Sequence, residues 1–241
     1  DPGRLETGTD TSLWGSVLGL VGYWPLEGSG AVANGQTAGF NDISGRGNNG
    51  TASNTNGTGM TFASGKVGNA IQLDGSDDLV DFGSDKTDLI LSQGGTISAW
   101  MKMDSWNGTS WSSTIMGKGS ASWPNHHYII FKEQNTNRLL FSVSDGTNYL
   151  DGNGPKSANL SLNNWYYVTA TWDAQTKCLY VNGDLQQCVS STFMPINAVG
   201  PVSAGRTGDS GYYFDGLLDE IRVYKRALSA GEVRAIYNAT K

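Results

Sequence analysis

Histidine, cysteine and charge are all scarce in this chain, and each shortage removes a class of chemistry. Its 241 residues include two histidines and two cysteines, and charged residues make up only 16%. His126 and His127 are neighbours, so on a strand they point to opposite faces. With two cysteines ten residues apart they do not make a zinc set. No G-x-S-x-G elbow, H-E-x-x-H pair, P-loop or dinucleotide fingerprint occurs. The E-x-D-x-x-E spacing that puts a glycosidase's acid and nucleophile on one strand face is also missing. Neither Glu133 nor Glu220 has an acidic residue two positions on. The expectation is a protein that is not an enzyme, although a carboxylate pair assembled by the fold stays open. Basic residues are too few for nucleic acid, since the net charge is −6, whereas nucleic-acid binders carry a basic face. No run of 18 apolar residues exists, so no membrane-spanning helix is expected.

Glycine, by contrast, is plentiful at 33 residues. Short β-rich runs recur between turn signals, as in an all-β sandwich. Strands are expected at 22–26, 70–73, 78–82, 96–103, 113–116, 128–132, 139–144, 165–172, 177–181, 185–189, 202–204 and 212–214. Ile97, Ala99, Met101 and Met103 share one strand face, and Tyr166, Val168, Ala170 and Trp172 share another. Two such sheets pack about 10 Å apart. Residues 27–66 are mostly Gly, Asn, Ser and Thr and read as one long loop, of functional or metal-ordered type. Residues 1–19 read as a lead-in and residues 20–241 as one domain. The chain opens Asp1-Pro-Gly-Arg without Met, so it is expected to be a processed part of a longer parent protein.

Cys178 and Cys188 flank Asn182-Gly183-Asp184. A three-residue loop there would place the cysteines opposite each other, at disulfide distance. A two-residue turn would take them out of register. A disulfide would imply an oxidising, extracellular setting.

The segment from Phe214 to Asn238 holds a strand and a helix. Alternation puts Leu217, Asp219, Ile221 and Val223 on one face, which makes Asp219 a carboxylate among core aliphatics. Ser229 and Glu232 have capping-box spacing, and Leu228 and Val233 have staple spacing. Val233, Ile236 and Tyr237 form the apolar stripe of a short helix.

This closing segment, F-D-G-L-L-D-E-I-R-V-Y-K-R-A-L-S-A-G-E-V, resembles the end of laminin-G-like domains of the concanavalin-A-like lectin/glucanase superfamily. The opening Leu20-Val-Gly-Tyr-Trp-Pro-Leu-Glu-Gly and Asp42-Ile-Ser-Gly-Arg-Gly-Asn-Asn-Gly50 are similar too. So are Gly68 to Gly75, Thr96 to Trp100, Asn164 to Trp172 and Leu179 to Gly183. The resemblance implies a two-sheet antiparallel jelly-roll β-sandwich with one short C-terminal helix, its first strand beside its last. It further implies a structural Ca²⁺ where opening loop and closing strand meet, with Asp42, Asn48 and Asp219 as ligands and Glu27 a weaker addition. Asp42 could instead close an Asx-turn, and Asp219 could pair with Arg46 or a lysine.

Exposed loop aromatics on a rigid sandwich are candidate ligand contacts. Trp106, Trp111 and Trp123 lie in polar connections, with His126, Tyr149, Tyr212 and Tyr213 as further candidates; these loops could equally fold back over their own aromatics. Trp24, Trp100, Trp165 and Trp172 fall in strands and read as core. The expected function is a non-catalytic extracellular module that binds carbohydrate. The alternative is a surface adhesive or structural domain that binds a cell-surface protein, such as the head of a pilin-like filament subunit, which the stretch from Arg4 to Asp10 resembles.

Overall fold

The computed structural model describes residues 18–33, 35–53, 60–83, 86–106, 112–119, 126–195, 200–206 and 213–241. The strands are β1 (Leu20–Trp24), β2 (Ala31–Val32), β3 (Thr37–Phe40), β4 (Gly50–Ser53), β5 (Met60–Ser64), β6 (Asn69–Asp74), β7 (Leu79–Asp81) and β8 (Gly95–Met103). They continue as β9 (Ser112–Gly119), β10 (His126–Lys132), β11 (Leu139–Val143), β12 (Trp165–Trp172), β13 (Thr176–Val181), β14 (Asp184–Ser190), β15 (Val202–Ala204) and β16 (Asp215–Tyr224). One helix, α1 (Ala230–Thr240), closes the chain.

Two antiparallel sheets form the expected sandwich. The first runs β14-β13-β12-β8-β16-β6-β5-β2, with β1 also paired to β16. The second runs β11-β10-β9-β15-β7-β4-β3. Ile97, Ala99, Met101 and Met103 of β8 face inward, as their period of two requires, and meet Tyr128, Ile130, Phe141 and Val143 from the second sheet. Trp24 and Trp172 are completely buried in this core. Each large apolar side chain enclosed there contributes about 1.5–3 kcal/mol relative to exposure.

The outer face of the first sheet carries its own apolar cluster. Trp100, Tyr167, Tyr180 and Tyr224 pack against Leu228, Val233 and Ile236. α1 is fixed there by the expected capping box: the Glu232 amide donates to Ser229 Oγ, and the Ser229 amide donates to Glu232 Oε2 at 2.8 Å.

Three local features differ from the sequence reading. First, residues 27–66 are not one long loop. They supply β2, β3, β4 and β5, anchored by Val32, Phe40, Ala52 and Met60 in the core. Backbone ladders therefore order the described part of this stretch. Second, the β13–β14 hairpin has a two-residue turn with Val181 opposite Asp184. Asn182 and Gly183 both take positive φ, 54° and 77°, as such hairpin turns demand. A bulge at Gln186 then restores the register, because Leu179 faces Gln187 while Tyr180 faces Leu185. Cys178 thus lies opposite Cys188, and the two are disulfide-bonded with Cα atoms 4.1 Å apart.

Third, β16 is bulged. Asp219 pairs with Trp100 of β8, but Arg222 pairs with Ser98, so Glu220 and Ile221 oppose one residue. Glu220 sits at φ 55°, a conformation unusual for a side chain larger than Asn. The bulge changes the phase of the strand. Before it, Leu218 faces the core; after it, Ile221 and Val223 do. Asp219 therefore does not share the face of Ile221 and Val223. It lies on the outer face beside Trp100, with which it is in register.

Candidate functional site

Asp219 fills a break in the first sheet. One side of β16 is flanked by β6 along Asp215–Leu218 and by β1 along Ile221–Tyr224. Asp219 falls between the two partners. Its Oδ2 accepts the Lys66 and Val67 amides at 2.9 and 3.0 Å. These belong to the β5–β6 turn, which is drawn in over the break. A Cβ on Gly65 would lie 2.7 Å from the same oxygen, so this turn residue must be small. Lys66 extends over the Trp100 ring, 4.8 Å from its centroid. Among the described residues no ion pair joins Asp219 to Arg46. Burial, the main cause, and the nearby Glu220 charge push the Asp219 carboxyl up to about 7 against the pull of its amide donors.

Past the bulge the outer face is ionic. Arg222 Nη2 contacts Glu220 Oε2 at 2.5 Å, Tyr23 Oη donates to the same carboxylate at 2.8 Å, and the guanidinium covers the Tyr23 ring at 4.0 Å. Glu220, Arg222 and Tyr23 thus close on one another, which makes this group a brace between β1 and β16.

The resemblance-based calcium ligands are brought together only in part. Asp42 and Asn48 meet, with the Asn48 amide donating to Asp42 Oδ2 at 2.9 Å. Asp42 also accepts from the Tyr23 amide at 3.0 Å, the Ser44 amide at 2.8 Å and Ser44 Oγ at 2.9 Å. Four donors fill the acceptor sites of a carboxylate and hold this one below the usual range despite partial burial. The Asn48 side chain donates to the Val21 carbonyl, its own carbonyl accepts from Trp24 Nε1, and Glu27 accepts the Asn69 amide. Asp42 and Asn48 act as an Asx-type loop anchor, and Asp219 takes its partners from the β5–β6 turn. Asp42, with its acceptor sites filled, offers no free lone pair to a calcium cage of six to eight oxygens, whereas Asp219 keeps one buried oxygen, Oδ1, without a partner.

The expected ligand contacts divide between the two ends of the sandwich, separated by the length of β9, roughly 23 Å at 3.3 Å per residue. At one end His126 is buried, with Nε2 3.3 Å from Ser142 Oγ, and Tyr149 meets its ring edge-on at 6.4 Å. Burial, with the neighbouring His127 adding to it, pushes the His126 imidazole down to about 3, so it stays neutral. Of this pair only Tyr149, 41% exposed, faces solvent. Trp111, Trp123 and Tyr212 lie outside the described residues.

At the other end the chain passes between the sheets from β6 to β7, from β8 to β9 and from β15 to β16, among other crossings. Trp106 is partly buried and packed on the core. Tyr213, outside any strand, lies beneath the Arg206 guanidinium at 5.1 Å. Gln72 donates to Asp104 Oδ2 at 2.9 Å, and Ser105 Oγ donates to Asp215 Oδ2 at 2.5 Å. The sequence reading passed over the acidic turn here. Asp74, Asp77 and Asp78 each present a carboxylate oxygen, all within 4.8 Å of one another, and could hold a metal ion. The signal was the D-G-S-D-D run, read only as the end of one strand and the start of the next.

A two-sheet antiparallel sandwich with polar and aromatic crossover loops is a lectin-type scaffold. The chain belongs to the concanavalin A-like lectin/glucanases superfamily, whose laminin G family model matches residues 74–234. No curated protein sequence matches the chain significantly. Among solved structures it is similar to domain 4 of AbnA, a GH43 extracellular arabinanase from Geobacillus stearothermophilus, in complex with arabinotriose. That likeness has 19% identity and a TM-score of 0.62, and covers 90% of this chain and 98% of that one. The binding domain of Paraclostridial mosquitocidal protein 1 is similar at 19% identity and TM-score 0.66, over 93% of this chain and 53% of that one. The ligand-binding domain of botulinum neurotoxin serotype D, in complex with N-acetylneuraminic acid, is similar at 15% identity and TM-score 0.63, over 95% of this chain and 53% of that one. The chain thus spans about half the length of the two toxin domains.

Proposed function

We propose that this chain is a non-catalytic, extracellular module that binds glycans at the crossover end of its sandwich. The observation that carries the reading is the convergence there of Trp106, Tyr213 under Arg206, and the paired polar groups Gln72–Asp104 and Ser105–Asp215. Flat apolar surface with a few fixed polar groups is what a small-ligand site requires. A domain of nearly the same extent was solved with arabinotriose, which makes arabino-oligosaccharides the first ligands to test. The disulfide fits an oxidising compartment.

Catalysis is disfavoured by access. Asp78, whose carboxyl burial pushes up to about 6, has the proton affinity of a general acid but is only 1% exposed. A general acid must reach the leaving oxygen directly or through one water. Calcium at Asp42, Asn48 and Asp219 has no place in this reading; a cation at other residues is argued below.

A glycan array followed by calorimetry tests the proposal. Binding that free arabino-oligosaccharide competes away, without release of reducing ends, is the expected result. Binding to no glycan, together with saturable binding to a cell-surface protein, would favour the adhesive alternative.

A further inference from the structure

We infer that the turn Asp74-Gly75-Ser76-Asp77-Asp78 holds one hard divalent cation. Ca²⁺ is the first to test, because it accepts an irregular all-oxygen shell where Mg²⁺ demands a near-ideal octahedron. The three carboxylate oxygens of this turn fall within 4.8 Å of one another. Acidic residues often gather without an ion, so the clustering needs independent support, and Asp78 provides it. Its side chain is 1% exposed; Oδ2 accepts the Asp74 amide at 2.9 Å, while Oδ1 is buried with no hydrogen-bond partner. A buried carboxylate oxygen without a donor is an unfavourable arrangement that a bound cation removes.

The surroundings favour the same ion. Asp215 stands directly opposite Asp74 across the β6–β16 pair, and its carbonyl accepts the Asp104 amide at 3.0 Å. Like charges in register repel. Asp215, in register with Asp74, adds a further acidic residue at this end of the sandwich. The turn also lies against the neighbouring crossover: a Cβ on Gly205 would be 3.4 Å from the Asp78 carbonyl. An ion held at 74–78 would brace the crossover end that carries the proposed glycan contacts. The cation site does not depend on the glycan reading, since metal alone tests it.

The experiment is calorimetric titration of chelator-stripped protein with CaCl₂, with melting temperature measured in parallel. The expected result is one Ca²⁺ per chain, a higher melting temperature with Ca²⁺, and Mg²⁺ at least tenfold weaker. Asp78→Asn keeps an acceptor for the Asp74 amide and should weaken Ca²⁺ at least tenfold. Asp77→Asn, at a less enclosed position, should do the same should the first variant fold poorly. Asp42→Asn should leave Ca²⁺ affinity unchanged. No Ca²⁺ uptake by the wild-type chain would overturn the inference, as would full affinity in both Asp77→Asn and Asp78→Asn. Loss of uptake in Asp42→Asn alone would place the ion elsewhere.

Discussion

Asp219→Asn should stabilise this protein at alkaline pH, although it alters a buried, hydrogen-bonded residue. The Asp219 carboxyl is completely buried; one oxygen accepts two amides and the other accepts none. Its ordinary value of 3.8 rises to about 7 in the fold, chiefly through burial and secondarily through Glu220. Between those values the folded chain holds a proton that the unfolded chain has released. Stability therefore falls as pH rises from about 4 to 7 and levels off above that. A rise from 3.8 to about 7 corresponds to about 4 kcal/mol at 1.36 kcal/mol per tenfold change. Asparagine keeps an acceptor for Lys66 and Val67 but never ionises. At pH 4, where wild type is also neutral at this position, the variant should be weaker by about 1–2 kcal/mol, the cost of its amide group in place of the orphan oxygen. At pH 8 the variant should be more stable by about 2–3 kcal/mol, after the same about 1–2 kcal/mol for the amide group is subtracted. Urea unfolding at pH 4, 6 and 8 with chelator present reads this directly. Asp78 titrates alike in both proteins and cancels in the difference. A stability difference that does not change with pH would refute the reasoning, and so would a variant weakest at pH 8.

Under non-reducing conditions the intact mass should be ~2 Da below the reduced value, because Cys178 and Cys188 are joined. Reduction or Cys188→Ser should lower stability by about 2 kcal/mol, as expected for a loop closed by a bridge ten residues in span; two readily alkylated thiols in the native chain would contradict it. Trp106→Ala should weaken glycan binding and also lower stability by about 2 kcal/mol, since part of the ring packs on the core. Unchanged melting with lost binding would show that the ring serves only as a contact.

Most of the architecture could be read from the sequence because period-two alternation is dense where strands are long. In β8 and β12 the residues named for the core face are those that line it. The helix was equally legible, since Ser229 and Glu232 act within one turn of each other. The missed strands, β2 to β5, have few large apolar residues, and each is secured by one or two anchors such as Val32, Phe40 or Met60. Glycine, serine and threonine in those strands gave the local signal of a loop, while pairing with distant partners decided the outcome. The cysteine pair was placed correctly through a wrong turn. The two-residue turn at Asn182-Gly183 would have offset it, and the bulge at Gln186 offset it back. Two local irregularities cancelled, which no spacing rule detects.

The candidate site was less legible for a related reason. Asp219 drew attention because strict alternation put it among Leu217, Ile221 and Val223. One residue in the bulge, Glu220, moves it to the opposite face. A bulge carries no periodic signature, and here positive φ falls on a glutamate, so composition gave no hint either. What fixes the bulge is long-range. β16 changes partner from β6 to β1 at this point, and the Glu220 carboxylate is held by Tyr23 of β1 and by Arg222. Asp219 then fills the break by binding the Lys66 and Val67 amides. Asp219 and Glu220 thus tie β16 to the β5–β6 turn and to β1. A second buried orphan oxygen, that of Asp78, lies in a short turn whose residues look like ordinary loop composition. A buried acid is legible from sequence; whether amides, arginine or a cation accompany it depends on which distant strand ends beside it.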